Sequence, residues 1–514
     1  MLECNNVSIT LMRDGRTLVE NFNFVLNKGD KAVIIGEEGN GKSTLLRWIH
    51  EGGAADSAGY YTCRGQVVKK GRTGYLPQAL PEADAERSVQ ALFGDIDVYM
   101  HTHILNDLRL PMELVYSEQA VGTLSGGEKV KVQLAKILME EPDILLLDEP
   151  TNDIDIETLT WLEGFINRCK LPVLFVSHDE TLIENTANVI VHIEQLVRKT
   201  KCRIMVAGCS YAEYMSARSS MFDKQTQVAR KQRSDHAAQM EKWAQVYNRV
   251  DHEQNAISRQ DAAGGRLLKK KMKSVKSQEK RLQRQEDDFL ELPQIEEAIL
   301  AAFDEDIAMP RGKLVLDLHV PALYADGEAD GAGRLLAEDV RLRVTGNRHV
   351  GIVGRNGTGK STLLRAVWEA LRGREDISPY YMPQDYAEAL PFAATPVDFL
   401  AGSGMKADVT KARTYMGSMK LTHEEATGAI NDLSGGQKAK LLFLDMVLKR
   451  ADVLVLDEPT RNFSPLSGPV IRRTLAAFGG AIVSVSHDRK YLEEVCGEVY
   501  ELTAKGLRLL TGEM

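Results

Sequence analysis

Apolar residues follow two different periods along this chain. Short unbroken runs at Lys31 to Ile35, Ile144 to Leu147, His349 to Val353 and Val453 to Leu456 read as strands buried on both faces. Between about Tyr211 and Ile257 the period changes, with Met240, Trp243, Tyr247 and Val250 recurring at three- and four-residue steps, as on one face of a helix. Gly264 and Gly265 are expected to break that helix. Leu268, Val275, Leu282 and Phe289 then fall seven apart on one stripe, until Pro293 interrupts or restarts the pattern. The segment therefore predicts an antiparallel helical hairpin with its tip near Ser258 to Leu267, and a first arm of roughly 45 residues would span about 65 Å.

An internal repeat sets the frame. Gly36 to Ser43 and Gly354 to Ser361 both match G-x-x-x-x-G-K-[ST], and each lies between an apolar strand run and a helix-like Thr-Leu-Leu-Arg. Glycines at Gly36, Gly39, Gly41, Gly354, Gly357 and Gly359 let backbone N–H groups close around phosphates at a helix N-terminus. Lys42 and Lys360 are then placed to reach the β- and γ-phosphates, with Ser43 and Ser361 supplying hydroxyls to Mg²⁺ beside Thr44 and Thr362. Asp148 and Asp457 end two of the apolar runs and would hold the same ion, while Glu149 and Glu458 follow directly, where a carboxylate can polarise a water. Leu124 to Glu128 reads Leu-Ser-Gly-Gly-Glu and Leu433 to Gln437 reads Leu-Ser-Gly-Gly-Gln. Ser434, Glu458 and His487 each lie 309 positions beyond Ser125, Glu149 and His178, so the halves are in register from this serine to the histidine.

These residues, with Gln78 and Gln384, carry a resemblance to the ATP-binding cassette ATPases that covers both halves. The resemblance implies an α/β fold of two P-loop cassettes in tandem, joined by a long helical-hairpin linker: a first cassette at 1–210, the linker at 211–310 and a second cassette at 311–514. It implies ATP and Mg²⁺ as cofactors and two composite sites. Lys42 would share one with Ser434, Gly435 and Gly436, and Lys360 the other with Ser125, Gly126 and Gly127. Gln78 and Gln384 would touch Mg²⁺ and the attacking water, and His178 and His487 would sense the γ-phosphate.

Charge separates the linker from the rest. The chain carries 64 Lys and Arg against 73 Asp and Glu, for a formal net charge of -9, which disfavours a nucleic-acid partner. Yet Arg266, Lys269, Lys270 and Lys271 open a basic run reaching Arg284 that contains one acid, Glu279, and Arg259 lies just before it. Such a run is either a solvated spacer or a surface for RNA phosphates. Two cassettes with a long basic helical linker resemble the ABC-F family of ribosome-associated ATPases. That resemblance implies a ribosomal partner (ribosomal RNA and tRNA), with the linker directed toward tRNA and the peptidyl-transferase centre.

Family members are general translation factors or antibiotic-protection proteins. The similar spans Gln78–Leu124 and Gln384–Leu433 argue against an added arm and favour the protection type. The ATPase subunit of a membrane transporter is the alternative from another class. No apolar run approaches the roughly 18 to 20 residues a membrane helix needs, and the start has no basic-then-apolar signal pattern, so no stable membrane partner and a cytoplasmic location are expected. With both halves in one chain, a monomer is expected. The six cysteines are scattered without Cys-x-x-Cys pairs, and His101 and His103 lack a third metal ligand in sequence.

The halves differ at two places. Asp155, expected to contact the opposite cassette, has Ser464 as its counterpart, and Glu38 stands where Asn356 stands in the second loop. Ser8 to Arg16 offers no aromatic for stacking on adenine, and Tyr324 precedes a Gly/Asp-rich stretch, so base selectivity is expected to be loose. The expected outcome is unequal turnover at the two sites. ATPase rates of Glu149→Gln and Glu458→Gln, measured side by side, should differ; equal losses would refute it.

Overall fold

The computed structural model describes residues 1–12, 15–54, 59–196, 201–256, 262–287, 303, 306–325, 333–402 and 404–510. Its contacts divide into two units: Met1–Tyr211 together with Glu296–Met514, and Ala212–Ile295.

In the first unit the short apolar runs become the centres of two six-stranded sheets of identical order. One runs Thr73–Leu76, Ile144–Asp148, Val173–Val176, Lys31–Ile35, Val189–Leu196, Lys201–Ala207. The other runs Pro379–Met382, Val453–Asp457, Ala481–Val485, His349–Val353, Glu498–Thr503, Gly506–Leu510. The first five strands of each are parallel and the sixth pairs antiparallel. Parallel strands are covered on both faces, which is why Ile144–Asp148 and Val453–Asp457 are buried at every position and read as continuous apolar runs. An antiparallel sheet of Thr17–Leu26, Leu2–Leu11 and Tyr61–Lys69 accompanies the first half, and the pair Leu314–Tyr324 and Leu335–Thr345 the second. Ligands of such sheets gather at the carboxyl ends of the parallel strands, and both glycine loops lie there.

Among its described residues the second unit is made of two helices, Tyr211–Ala256 and Ala262–Asp287. They are antiparallel: the indole Nε1 of Trp243 donates to the Val275 carbonyl at 2.9 Å, and the His236 ring meets the Leu282 carbonyl at 3.1 Å. Both pairs sum to the same register, which also matches Val250 with Leu268; Val250, Leu268, Val275 and Leu282 are all buried. Seven-residue spacing on both helices makes this seam, as in a coiled coil. Gly264 and Gly265 do not break the structure where expected; they lie in the first turn of the second helix, where hydrogen bonding within the helix is least demanding. Leu267, expected at the tip, is helical and exposed. Arg259, Phe289 and Pro293 lie outside the described residues.

Val275→Asp puts a carboxylate into the seam. Amide exchange within 211–287 should then rise by at least an order of magnitude, reflecting the roughly 1–3 kcal/mol cost of an unsatisfied buried polar group, while ATPase activity without a partner stays near wild type.

Candidate functional site

Each glycine loop starts from a central strand and feeds a helix, Lys42–His50 or Lys360–Leu371. Gly41 and Gly359 cap these helices in the left-handed region, at φ 84° and 91°, and a Cβ on Gly41 would strike Leu18 at 2.9 Å. The loops are wound around their lysines. Lys42 Nζ donates to the carbonyls of Gly36 and Glu37 at 3.0 and 3.1 Å, and Lys360 Nζ to those of Gly354 and Arg355 at 2.8 and 2.9 Å. Burial lowers the pKa of both ammonium groups, and the neighbouring carboxylates pull the other way.

The acids sit beside these loops. Ser43 Oγ donates to Asp148 Oδ1 at 2.8 Å, and Ser361 is likewise bonded to Asp457. Burial pushes both aspartates up. Asp457 Oδ1 is buried without a hydrogen-bond partner among the described residues, and a hydroxyl with a carboxylate is the hard oxygen donor set that Mg²⁺ takes. The residues present therefore fit a magnesium site. Gln78 and Gln384 are exposed, two positions beyond strands Thr73–Leu76 and Pro379–Met382, which pair with the strands bearing the aspartates.

Glu149 and Glu458 adopt φ 47° and 51°, a strained region for a non-glycine residue. Their environments differ. His178 Nε2 lies 2.9 Å from Glu149 Oε1; burial alone would raise this carboxyl, but His178 and Lys42 outweigh it and hold the acid below the ordinary range. The His487 ring stands 3.8 Å from Glu458 Oε1, and only its backbone N–H bonds the carboxylate, at 3.2 Å. Burial and the adjoining Asp457 push Glu458 up to about 8, and burial with Lys360 pushes His487 down to about 4.

The two halves meet head to tail. Ser125 and Ser434 cap the helices Gly126–Met139 and Gly435–Leu448, each through a reciprocal box with Glu128 or Gln437. A cavity of about 590 Å³ is lined by Gly357, Gly359, Lys360, Ser361, Thr362, Gln384, Asp457, Glu458 and His487 from the second half, and by Gly126 and His178 from the first. The second loop touches the first half through Asn356 Nδ2, which donates to the Asp153 carbonyl at 2.5 Å, and through Arg355, which pairs with Glu157 at 2.9 Å. Asp155 caps the helix Ile156–Arg168 by accepting from the Thr158 N–H at 2.9 Å, within electrostatic reach of Lys360 and His487.

At the other site the polarity is reversed. Glu38, from the first loop, accepts from Ser434 Oγ at 3.0 Å and from the Gly436 N–H, so a carboxylate rests on the N-terminus of the opposite signature helix, beside Gly435. Glu37 meets Lys440 Nζ at 2.5 Å and accepts from Ser464 and Ser467 at 3.3 and 3.1 Å. Burial alone would raise Glu37; Lys440 and Lys420 overcome that and hold it far below the carboxylate range. Where the second site has an acid at Asp155, the first has Ser464 and draws its acid from the glycine loop instead.

Sequence reasoning singled out Glu38 as a difference but missed Glu37, Lys440 and Arg16. The Arg16 guanidinium donates to the Gly39 carbonyl at 2.7 Å, placing a planar cation by the first loop. The only advance signal was a basic residue in a segment searched for aromatics. His101 and His103 stand 6.3 Å apart by ring centroid, and no metal-binding cluster of His, Cys, Asp and Glu occurs among the described residues.

Glu38→Asn should let phosphate reach the Ser434 signature more readily. In a Lys360→Ala background, a fluorescent ATP analogue is expected to bind the first site about tenfold tighter, the scale of removing one close like-charge contact; unchanged affinity would show that Glu38 does not compete.

The ABC transporter family model matches residues 19–152 and 337–461, half of the chain and once in each half. ABC transporter F family member 2 of Arabidopsis thaliana is 25% identical over 98% of this chain and 77% of its own length. Ribosome protection protein VmlR of Bacillus subtilis is 28% identical over 96% of this chain and 85% of its own. Among solved structures, the archaeal ribosome recycling factor aABCE1, in complex with the ribosomal stalk protein aP1, shares the fold with a TM-score of 0.58, at 16% identity over 98% of this chain and 89% of that one. No helix among the described residues is long and apolar enough to cross a membrane. With both family matches spanning a glycine loop and an acidic strand end, the chain belongs to the ABC transporter family of ATP-binding cassette proteins, with two cassettes in tandem that bind and hydrolyse ATP, and it is similar along its length to F-family members.

Proposed function

We propose that this protein acts on the ribosome: ATP closes its two cassettes, the closed form binds with the linker directed toward tRNA and the peptidyl-transferase centre, and hydrolysis releases it. The apposition of each glycine loop with the other half's signature helix is the observation that carries the cycle. A nucleotide bound to one half supplies phosphate charge for the helix N-terminus of the other, so ATP favours closure because it binds the closed state better. The proposed boundaries are 1–210, 211–310 and 311–514.

In each site the glycine-loop N–H groups and Lys42 or Lys360 hold the β- and γ-phosphates. Ser43 and Asp148, or Ser361 and Asp457, would hold Mg²⁺ with Gln78 or Gln384; when bound, the ion neutralises charge developing on the transferred phosphoryl group. Glu149 and Glu458 orient and polarise the attacking water, with His178 and His487 beside them. The contrast between the tight His178–Glu149 pair and the looser His487–Glu458 geometry supports unequal turnover.

The ribosomal reading is supported by the relatives named for ribosome protection and recycling and by the linker's charge. Arg266, Lys269, Lys270 and Lys271 are all exposed on the second linker helix, on positions outside the Leu268–Val275–Leu282 seam. A row of cations on a rigid helix suits RNA phosphates, whose binding is driven by counterion release. Likeness to VmlR along 96% of this chain favours antibiotic protection over a general translation role.

The test is sucrose-gradient sedimentation of the Glu149→Gln, Glu458→Gln double variant, expected to travel with ribosomes only when ATP is present. Changing Lys269, Lys270 and Lys271 to alanine should weaken association and lower its log–log salt dependence by about 2. Sedimentation at the top of the gradient would refute the proposal, and cosedimentation with membranes would favour a transporter subunit.

A further inference from the structure

The two cassettes also meet beside the nucleotide cavity, at helices Ile156–Arg168 and Glu180–Thr186 of the first half and Gly468–Ala476 and Arg489–Val495 of the second, where Glu180 and Arg489 directly follow the cavity-lining Asp179 and Asp488. Arg472 binds Glu180 through Nη1–Oε1 at 2.7 Å and Nη2–Oε2 at 3.2 Å, a bidentate pair in which the side chains are 3% and 7% exposed. Arg489 binds Glu163. By the repeat offset of 309, Glu163 and Arg472 occupy equivalent positions, as do Glu180 and Arg489. The same two contacts are thus made twice about a pseudo-twofold axis, and both times the acid comes from the first half and the base from the second.

Symmetry alone does not require this. An interface of two equal halves would place the same pair of residues at both contacts. Here the two acids of the four paired residues lie on the first half and the two bases on the second. The backing residues follow suit: Asn185 donates to Glu163 at 3.2 Å, while at the equivalent position Glu494 accepts from Arg472 at 2.9 Å. The contacts near the nucleotide loops have the same polarity, Glu37 to Lys440 and Glu157 to Arg355.

We propose that these four residues form a pairing code that makes the first cassette accept the second and reject another copy of itself. Pairing first with first would set Glu163 against Glu180 twice; pairing second with second would set Arg472 against Arg489 twice. Either juxtaposition sets like charges together in a buried interface, with Glu494 offsetting the charge of Arg472 alone in the second case, and such repulsion discriminates more strongly than loss of attraction. The partner this surface fits is the complementary half, in the same chain or in a second copy.

The test uses the full chain. Glu163→Arg with Glu180→Arg makes four guanidinium groups face one another, and Arg472→Glu with Arg489→Glu makes four carboxylates do so. Each double variant is expected to lose ATPase activity by about tenfold or more. The quadruple variant, which exchanges the signs, should regain activity above either double variant, partially because Asp179, Glu494 and Lys490 beside these groups keep their charges. Mixing the two double variants should also restore ATPase, in a particle of twice the monomer mass, since each supplies the half that the other lacks. Recovery by sign exchange separates a pairing code from a merely structural role. Double variants with wild-type activity, or no recovery in either the quadruple variant or the mixture despite a native thermal transition, would overturn the proposal.

Discussion

Removing a carboxylate from water costs several kcal/mol unless a cation and hydrogen bonds replace the lost solvation. The interface between the cassettes does this repeatedly, with Glu37, Glu163 and Glu180 from one half each seated on a cation from the other. The rest of the nucleotide machinery depends on this contact. A glycine loop alone can bind phosphate, but Gly126 of the opposite half's signature helix also lines the cavity around Lys360, and only the apposition of the halves brings the two together.

The same polarity makes the two sites unlike. In one, a basic loop residue, Arg355, meets one acid of the first half, Glu157; in the other an acidic loop, Glu37 and Glu38, meets a lysine, serines and a helix N-terminus. The second arrangement places negative charge where a phosphate would otherwise be attracted. At the first site Glu38 accepts from Ser434, whereas the second site is a cavity lined by loop, acids and histidine. A difference that in sequence amounts to one or two substitutions thereby becomes a difference in how each site is filled.

The linker hairpin follows a simpler rule. Seam residues recur every seven positions on both helices, His236, Trp243 and Val250 on one and Leu268, Val275 and Leu282 on the other, while Arg266 and Lys269 to Lys271 stay exposed. That leaves the second helix free to carry a concentrated positive charge without cost to its packing. The net negative charge of the whole chain conceals this local reversal.

Much of the architecture could be read from the chain itself, because it rests on local rules. A continuous apolar run needs burial on both faces, a glycine at φ 84° admits no side chain, and seven-residue spacing marks one helix face; each is a property of a few adjacent residues. The fixed offset of 309 likewise placed equivalent positions in the two halves without any coordinates. Gly264 and Gly265 mark the limit of such reading, since helix propensity alone cannot tell a break from a first turn. Only the tertiary structure decided which charges meet. Glu37 and Lys440, Glu180 and Arg472, and Glu163 and Arg489 lie hundreds of positions apart, and as single residues they look like ordinary surface charges. Their pairing depends on the relative placement of two folded bodies, and Coulomb attraction between side chains leaves no periodic trace in the sequence.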